Sequence, residues 1–162
     1  MTTQPISPRN CPIARSLDVA GDLWTMLIIR DALYGLTRFE QFQTSLKIAP
    51  NILTRRLRDL VTSGMLERRP YQAKPVRHEY ILTDMGRAFR PVLWSLMAWG
   101  NEYLSPEGHL VDLVDPVTNA KMTPLVVDAV TRRPLEDGVR VVPGPAATPN
   151  VIARYGNRGV VA

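Results

Sequence analysis

The sequence contains a single cysteine, Cys11, and no long apolar run. One cysteine cannot build an intrachain disulfide framework or a cysteine-based zinc site within one chain. No stretch of about 18 apolar residues occurs that could cross a bilayer, and residues 1–10 lack the apolar centre of a signal peptide. We therefore expect a cytoplasmic protein that has no membrane partner, no metal and no cofactor.

Catalytic motifs are also missing from the sequence. It has no Ser-His-Asp order, no glycine-rich phosphate-binding loop and no HExxH motif. Its two histidines, His78 and His109, have no obvious catalytic residues around them. The sequence therefore predicts a protein that is not an enzyme.

What the sequence does have is an excess of positive charge. The 162 residues include 20 Lys and Arg against 15 Asp and Glu, so the net charge is +5, and the sequence pI is about 9.8. Such a balance favours polyanionic partners. The apolar fraction of 45% is enough for a normal core, so we expect one domain of usual size or a small domain with an appendage.

Residues 37–64 have the pattern of a helix, a tight turn and a second helix. The spacing of Thr37 and Glu40 predicts a capping box at the start of the first helix. The apolar positions of that helix fall on one face: Phe39, Phe42 and Leu46. Pro50 suits the first position of the second helix, and Gly64 is typical of a residue that ends one.

The second helix, over about 50–63, is predicted to have an apolar and a polar face. The apolar face consists of aliphatic side chains: Leu53, Leu57, Leu60 and Val61. The polar face carries amide, hydroxyl and guanidinium groups at offsets of three and four: Asn51, Thr54, Arg55 and Arg58. Such a helix can enter a DNA major groove, where Arg pairs with guanine and Asn with adenine. A merely solvated helix face is the alternative interpretation.

After Gly64 the pattern changes from helical to alternating. It predicts two strands, residues 65–72 and 77–83, joined by a turn at 73–76. The exposed positions of this ribbon are basic: Arg68, Arg69, Lys74, Arg77 and His78. The order helix, turn, helix and basic ribbon is typical of a winged helix, and it favours the DNA interpretation. We expect the wing, residues 66–83, to lie on the DNA backbone or in the minor groove.

Thr83 precedes a long helical stretch that Pro91 should kink or split. This stretch has more apolar surface than the core of a small winged helix needs, so we expect a homodimer interface that also includes the N-terminal helix. The predicted interface residues are Leu17, Leu93, Leu96, Met97, Trp99 and Tyr103. Ordinary core packing is the alternative. Trp24, Trp94 and Trp99 are candidates to line a small-molecule effector pocket, although aromatic residues at helical spacing are more often core.

Residues 11–42, 52–71 and 77–93, followed by Trp99 and Gly100, closely resemble the HxlR-type (MarR-like) winged-helix transcriptional regulators. The resemblance runs from Cys11 to about Leu104. It implies a homodimeric, sequence-specific regulator, most often a repressor, that binds an inverted-repeat operator in double-stranded DNA. A non-enzymatic protein-interaction module on a winged-helix scaffold is the alternative.

The resemblance also implies roles for individual residues. Arg38 falls where family members contact the phosphate backbone, and Lys74 and Arg77 fall in the wing. Cys11 occupies the position at which some members carry a redox-sensing cysteine; the alternative is that its thiol only packs. Pro50 differs from the polar residue that is more common in the family, so the base preference cannot be transferred.

The predicted fold is α+β: a winged helix-turn-helix, mostly helical with a two-stranded wing, plus a small C-terminal β-rich extension. Residues 1–10 are expected to be a flexible arm, 11–104 the DNA-binding and dimerisation domain, and 105–162 the extension. Within the extension, DPVTNAKM (115–122) and DAVTRRPL (128–135) form a short repeat. It predicts two turns that join three strands in a meander, with Asp115 and Asp128 accepting backbone N–H groups. The last dozen residues are expected to be loose.

Overall fold

The computed structural model describes residues 10–135 and 138–156. The chain forms two compact units, Asp22–Leu125 and the pair of segments Met1–Gly21 and Val126–Ala162, and each is described by itself. The predicted flexible arm lies outside the described residues except for Asn10. None of the helices in the described part of the chain has the length and apolar content needed to span a membrane.

Helices and strands of the described residues follow one another in the order expected for a winged helix. They are α1 (Pro12–Ala20), α2 (Leu23–Leu33), α3 (Phe39–Leu46), α4 (Pro50–Thr62), β1 (Leu66–Ala73), β2 (Val76–Leu82), α5 (Asp84–Ala88), α6 (Arg90–Leu104), β3 (Leu113–Val114), β4 (Lys121–Met122) and α7 (Pro149–Tyr155). The α+β winged helix-turn-helix with a two-stranded wing is thereby confirmed.

The core of the unit Asp22–Leu125 lies where α2, α3, α4 and the ribbon meet. Its fully buried side chains are Ile28, Ile29, Phe42, Leu53, Leu57, Leu60 and Leu66. The three leucines come from the predicted apolar stripe of α4, and each such burial contributes roughly 1.5–3 kcal/mol. On α2, Ile28 and Ile29 are fully enclosed, whereas Trp24 and Leu27 are only half-buried. This helix packs against α3, α4 and β2, so one stripe does not describe its buried surface.

Helix α3 begins one residue later than its predicted capping box requires. Its N-cap residue is Arg38, and Oε1 of Gln41 accepts hydrogen bonds from the backbone N–H of Arg38 at 2.9 Å and of Thr37 at 3.0 Å. Gln41 therefore does what the sequence pattern assigned to Glu40. A pairing with the wing accounts for the shift: the Thr37 carbonyl accepts from the Tyr80 N–H at 2.7 Å, and the N-cap residue Arg38 is in an extended conformation.

The wing is an antiparallel ribbon of β1 and β2. Its register runs from Leu66 opposite Leu82 to Ala73 opposite Val76. The register shifts between Pro70 and Gln72, so Tyr71 is an extra residue in β1. Proline has no N–H to donate to the ladder, which suits a bulge at this position.

The long C-terminal helical stretch of the winged helix is split, as Pro91 predicted. Thr83 caps the short α5 through a hydrogen bond from Gly86 N–H to its Oγ1, at 3.2 Å. Phe89 then separates α5 from α6, and Pro91 lies in the first turn of α6, where its missing N–H has no cost.

The predicted three-stranded meander is wrong. Strand β3 pairs with β4 across the Asp115 turn, and Val127 forms a separate bridge with Pro134 across the Asp128 turn. The residues on either side of each turn pair with each other, so each turn closes a separate hairpin. The two hairpins do not share a middle strand, as a meander would. The role predicted for the two aspartates is confirmed, since Oδ1 of Asp115 accepts from Thr118 N–H at 2.7 Å and Oδ1 of Asp128 accepts from Thr131 N–H at 2.7 Å.

The prediction of a loose tail is also wrong over residues 151–155, which belong to α7. Pro149 stands in the first turn of this helix, a position that proline favours. Residues 157–162, the remainder of the predicted tail, lie outside the described part of the chain.

Candidate nucleic-acid interface

Helix α4 presents the polar row that the sequence predicted. All four of its members are exposed: Asn51, Thr54, Arg55 and Arg58. The leucines on the opposite face of α4 are buried in the core, so packing fixes the orientation of the helix and of this polar row. The Thr54 hydroxyl donates to the Pro50 carbonyl at 2.8 Å, which leaves its methyl group and an oxygen lone pair for other contacts.

The three neighbouring arginines of α4 have different surroundings. Nη2 of Arg56 lies 2.7 Å from Oδ2 of Asp22, and its side chain is only 23% exposed. Nη2 of Arg58 is 3.6 Å from Asp59, in a pair that is open to solvent. Arg55 is exposed and forms no ion pair with another described residue. Arg56 thus stabilises the fold through its ion pair, whereas Arg55 and Arg58 are accessible to another molecule.

Arg38 lies between the start of α3 and the wing. It is exposed, and its guanidinium carbon lies 4.5 Å from the centroid of the Tyr71 ring. Across the residues that the structure describes, no carboxylate pairs with it. Its positive charge is therefore held in place without being neutralised.

The basic residues of the wing also divide into two groups. Arg69 makes two hydrogen bonds to Glu67, each 2.8 Å long, and these bonds lower the pKa of Glu67 and raise that of Arg69. Nη2 of Arg68 lies 3.0 Å from Nδ1 of His78. Lys74, in the turn, and Arg77, just after it, are exposed and have no carboxylate partner among the described residues.

Two residues that shape this surface were not predicted. Asp22 and its partner Arg56 are 34 positions apart, so nothing local in the sequence connects them. Tyr71 lies within the first predicted strand, which by itself gives it no separate role. Pro70, just before it, is the one local signal that a bulge could begin here.

The residues predicted for the dimer interface differ in exposure. On α1, Leu17 is 59% exposed, and Cys11 is the half-buried N-cap residue. On α6, Leu96, Trp99 and Tyr103 are exposed, and the Trp99 and Tyr103 rings lie 6.0 Å apart. The two remaining predicted interface residues, Leu93 and Met97, are half-buried. The exposed members are large apolar side chains on helices, a kind of surface that interfaces use.

An apolar groove of about 250 Å³ lies between the end of α2 and α6. Its lining residues are Arg30, Leu33, Tyr34, Leu93, Trp94, Leu96, Met97 and Val111. Of the three tryptophans considered for an effector pocket, Trp94 lines this groove, whereas Trp24 and Trp99 do not. The guanidinium of Arg30 is 2.8 Å from Asp31, so the one cation of the groove is already paired.

The family model described as HxlR-like helix-turn-helix matches residues 19–108, which is more than half of the chain. The chain belongs to the HxlR family. Among curated relatives, an HTH-type transcriptional regulator of Mycobacterium tuberculosis is 44% identical to this HxlR-family protein over 102 residues. That match covers 62% of this chain and 65% of the mycobacterial protein, so it falls just short of two thirds of the relative's length. The regulator YdeP of Bacillus subtilis is 34% identical over 94 residues, 57% of this chain and 73% of its own.

Solved structures of HxlR-like and MarR-like proteins share the fold. The candidate transcription factor PA1374 from Pseudomonas aeruginosa has a TM-score of 0.65 and 46% identity over 89% of this chain and 99% of its own. PA1607, also described as a candidate transcription factor, has a TM-score of 0.71 and 46% identity over 78% of this chain and 89% of its own. The oxidised redox regulator HypR matches 57% of this chain and 96% of its own, with a TM-score of 0.53 and 32% identity. The similarity to the first two therefore extends beyond residues 19–108 into the C-terminal extension.

Proposed function

We propose that this protein is a homodimeric, sequence-specific DNA-binding repressor. The observation that carries the proposal is the exposed polar row of α4, with Arg55 unpaired among the described residues and the helix fixed from behind by buried leucines. In this proposal α4 enters the major groove, and the wing lies on the backbone or in the minor groove. Membership of a family of helix-turn-helix transcriptional regulators supports it.

Each proposed contact follows from the chemistry of its side chain. Arg55 and Arg58 can pair with the O6 and N7 acceptors of guanine, and Asn51 can pair with the N6 and N7 edge of adenine. Thr54 can pack its methyl group against a thymine methyl group. It donates to a phosphate only if its hydroxyl turns away from the Pro50 carbonyl. The residues outside α4, Arg38, Lys74 and Arg77, are assigned to phosphates, which position the protein without reading sequence.

The dimer is supported by apolar side chains that remain exposed. Leu17 on α1, and Leu96, Trp99 and Tyr103 on α6, each supply apolar surface that a second copy can cover. A two-fold dimer of winged helices reads two half-sites about one helical turn apart, so the operator is proposed to be an inverted repeat. We assign the protein to the cytoplasm, where this DNA would be reached.

Two signals are proposed to control DNA binding: a small-molecule effector, or oxidation of Cys11. A small molecule could occupy the apolar groove between α2 and α6, which borders α6 of the proposed interface. Alternatively, oxidation of Cys11 could link subunits, a possibility raised by the similarity to the redox regulator HypR. Non-reducing electrophoresis after mild peroxide separates the two, because only redox sensing gives a dimer band that Cys11→Ser lacks.

The proposal is tested by fluorescence anisotropy with labelled duplexes at several salt concentrations, combined with sedimentation equilibrium. We expect a mass of two chains, and an affinity that falls linearly with salt on logarithmic axes as phosphate-bound counterions are released. A protein-interaction module on the same scaffold would show no such salt-dependent DNA binding. That outcome, or a mass of one chain at micromolar concentration, would refute the proposal.

A further inference from the structure

We infer that Tyr71 is a positioning residue for DNA binding. Its ring holds the Arg38 guanidinium in the orientation in which it would bind a phosphate of the DNA backbone. The inference rests on the proposed function, because it assigns a task to a residue of the same DNA-facing surface. The inference is carried by the contact between the Tyr71 ring and the Arg38 guanidinium.

Arg38 is fixed to the wing at its backbone as well as at its side chain. Its residue pairs with Glu79 in an isolated antiparallel bridge, and the preceding Thr37 carbonyl accepts from Tyr80 N–H at 2.7 Å. Gln41 Oε1 accepts from the Arg38 N–H at 2.9 Å. Hydrogen bonds and pairing with α3 and β2 therefore fix the backbone position of Arg38. Its long side chain is ordered separately, by Tyr71.

Tyr71 supplies that order from β1. It is the extra residue of the bulge between Pro70 and Gln72, and its side chain is half-buried. A bulge changes the direction in which a strand presents its side chains. Here the ring of Tyr71 lies 4.5 Å from the guanidinium carbon of Arg38.

The kind of partner matters for an arginine that must bind a phosphate. Arg56 and Arg69 are also held in place, but by the carboxylates of Asp22 and Glu67, which offset their charge and occupy their N–H donors. An aromatic face restrains a guanidinium from one side and leaves the N–H groups at its edge free. Arg38 is thus ordered in advance while it keeps the charge and the donors that a phosphate requires.

Ordering the Arg38 side chain in advance should raise the affinity for DNA, because an unrestrained arginine side chain loses rotamer freedom when it binds. A cation–π contact at an exposed site is worth about 0.5–1 kcal/mol, which corresponds to roughly a two- to five-fold change in Kd. We expect Tyr71→Leu to weaken binding of any duplex by about that factor per subunit. Tyr71→Phe keeps the ring and should bind like the wild type.

A double-mutant cycle tests the inference on the full-length protein. The variants are Tyr71→Leu, Arg38→Ala and the double variant, with anisotropy read at several salt concentrations. Arg38→Ala should reduce the salt slope by about one per subunit, as expected when one phosphate contact is lost. In the Arg38→Ala background, Tyr71→Leu should have no further effect. Tyr155→Leu removes a ring that lies beside the Arg154 guanidinium in α7, where no DNA contact is proposed, and serves as the matched control.

Separate outcomes decide separate claims. If Tyr71→Leu weakens binding equally with and without Arg38, or does not weaken it at all, the inference is overturned while the proposed function stands. If the wild type binds no duplex, the proposed function itself fails. Thermal unfolding of each variant identifies a general loss of structure, and in that case Tyr71→Phe still decides: loss of affinity in this variant, which retains the ring, contradicts the inference.

Discussion

Arg56 on α4 and Asp22 at the start of α2 are joined by an ion pair, with 2.7 Å between Nη2 and Oδ2. Asp22 is also the N-cap residue of α2, because its Oδ1 accepts from the Thr25 N–H at 3.2 Å. One carboxylate thus caps a core helix and anchors the helix proposed to read DNA. Asp22 therefore links α4 to α2 in addition to the apolar core between them.

Replacing Asp22 should therefore destabilise the fold. Asp22→Ala removes a helix cap and leaves a largely buried guanidinium without its partner, so we expect the free energy of unfolding to fall by about 1–3 kcal/mol. Asp22→Asn keeps a capping oxygen and should cost less. Urea denaturation gives both values, with Asp18→Ala on the exposed side of α1 as the control. Equal stability of Asp22→Ala and Asp18→Ala would contradict the role given to the pair.

Arg55 and Lys74 should differ in the kind of binding energy they supply. Arg55→Ala is expected to cost specific binding about 1–3 kcal/mol and to relax the preference for one base, because in the proposed complex its donors pair with a guanine. Lys74→Ala should weaken all sequences alike and lower the salt slope by about one per subunit. The measurement is the Kd for specific and random duplexes. Equal, sequence-independent losses in both variants would show that Arg55 touches only the backbone.

Gly86 in α5 is a position where a side chain does not fit. A Cβ there would collide with the Met65 carbonyl oxygen and with Leu82, both parts of the wing's base. We expect Gly86→Ala to lower stability by about 1–3 kcal/mol through this overpacking. Gly100→Ala in α6 meets open space and should leave stability unchanged or slightly higher, since alanine is the better helix former. A thermal midpoint of Gly86→Ala equal to that of the wild type would contradict the close contact.

The Asp115 and Asp128 carboxylates in the turns of the extension should stay ionised to a lower pH than ordinary aspartates. Hydrogen bonds from the backbone N–H and hydroxyl of Thr118 lower the pKa of Asp115, and those of Thr131 lower the pKa of Asp128. Because these folded-state values lie below the unfolded ones, the turns are fully stabilised above about pH 4 and lose that contribution as the pH falls through the lowered pKa. Carboxyl NMR titration should show both shifts, and Thr118→Val should raise the pKa of Asp115 alone. An ordinary pKa for Asp115 in the wild type would argue against the turn.

Much of the winged helix could be predicted because its signals are local. The leucine spacing of α4, Pro50 at its start and Gly64 after its end fix that helix within a few neighbouring residues. The same holds for the split at Pro91. The displaced start of α3 could not be predicted, because Thr37 is held by a strand that comes about 40 residues later.

The surface was predicted less completely than the fold. Sequence spacing placed Asn51, Thr54, Arg55 and Arg58 on one face, but it could not show that Arg56 is neutralised by Asp22 and Arg69 by Glu67. Such pairings depend on tertiary contacts or on strand geometry. In the extension, alternating apolar residues predicted three strands, but residues 139–142 form none, and β4 (Lys121–Met122) lies within the repeat that was predicted as a turn. Alternation alone does not state which residues will pair.

The central claim is that paired copies of α4 read a DNA sequence. It is tested most directly by incubating the full-length protein with a pool of random duplexes and sequencing those that it retains. The account predicts enrichment of an inverted repeat whose half-site centres lie about 10 base pairs apart, together with loss of one guanine preference in each half-site for Arg55→Ala. A retained pool with the same composition as the input, at low salt, would contradict it.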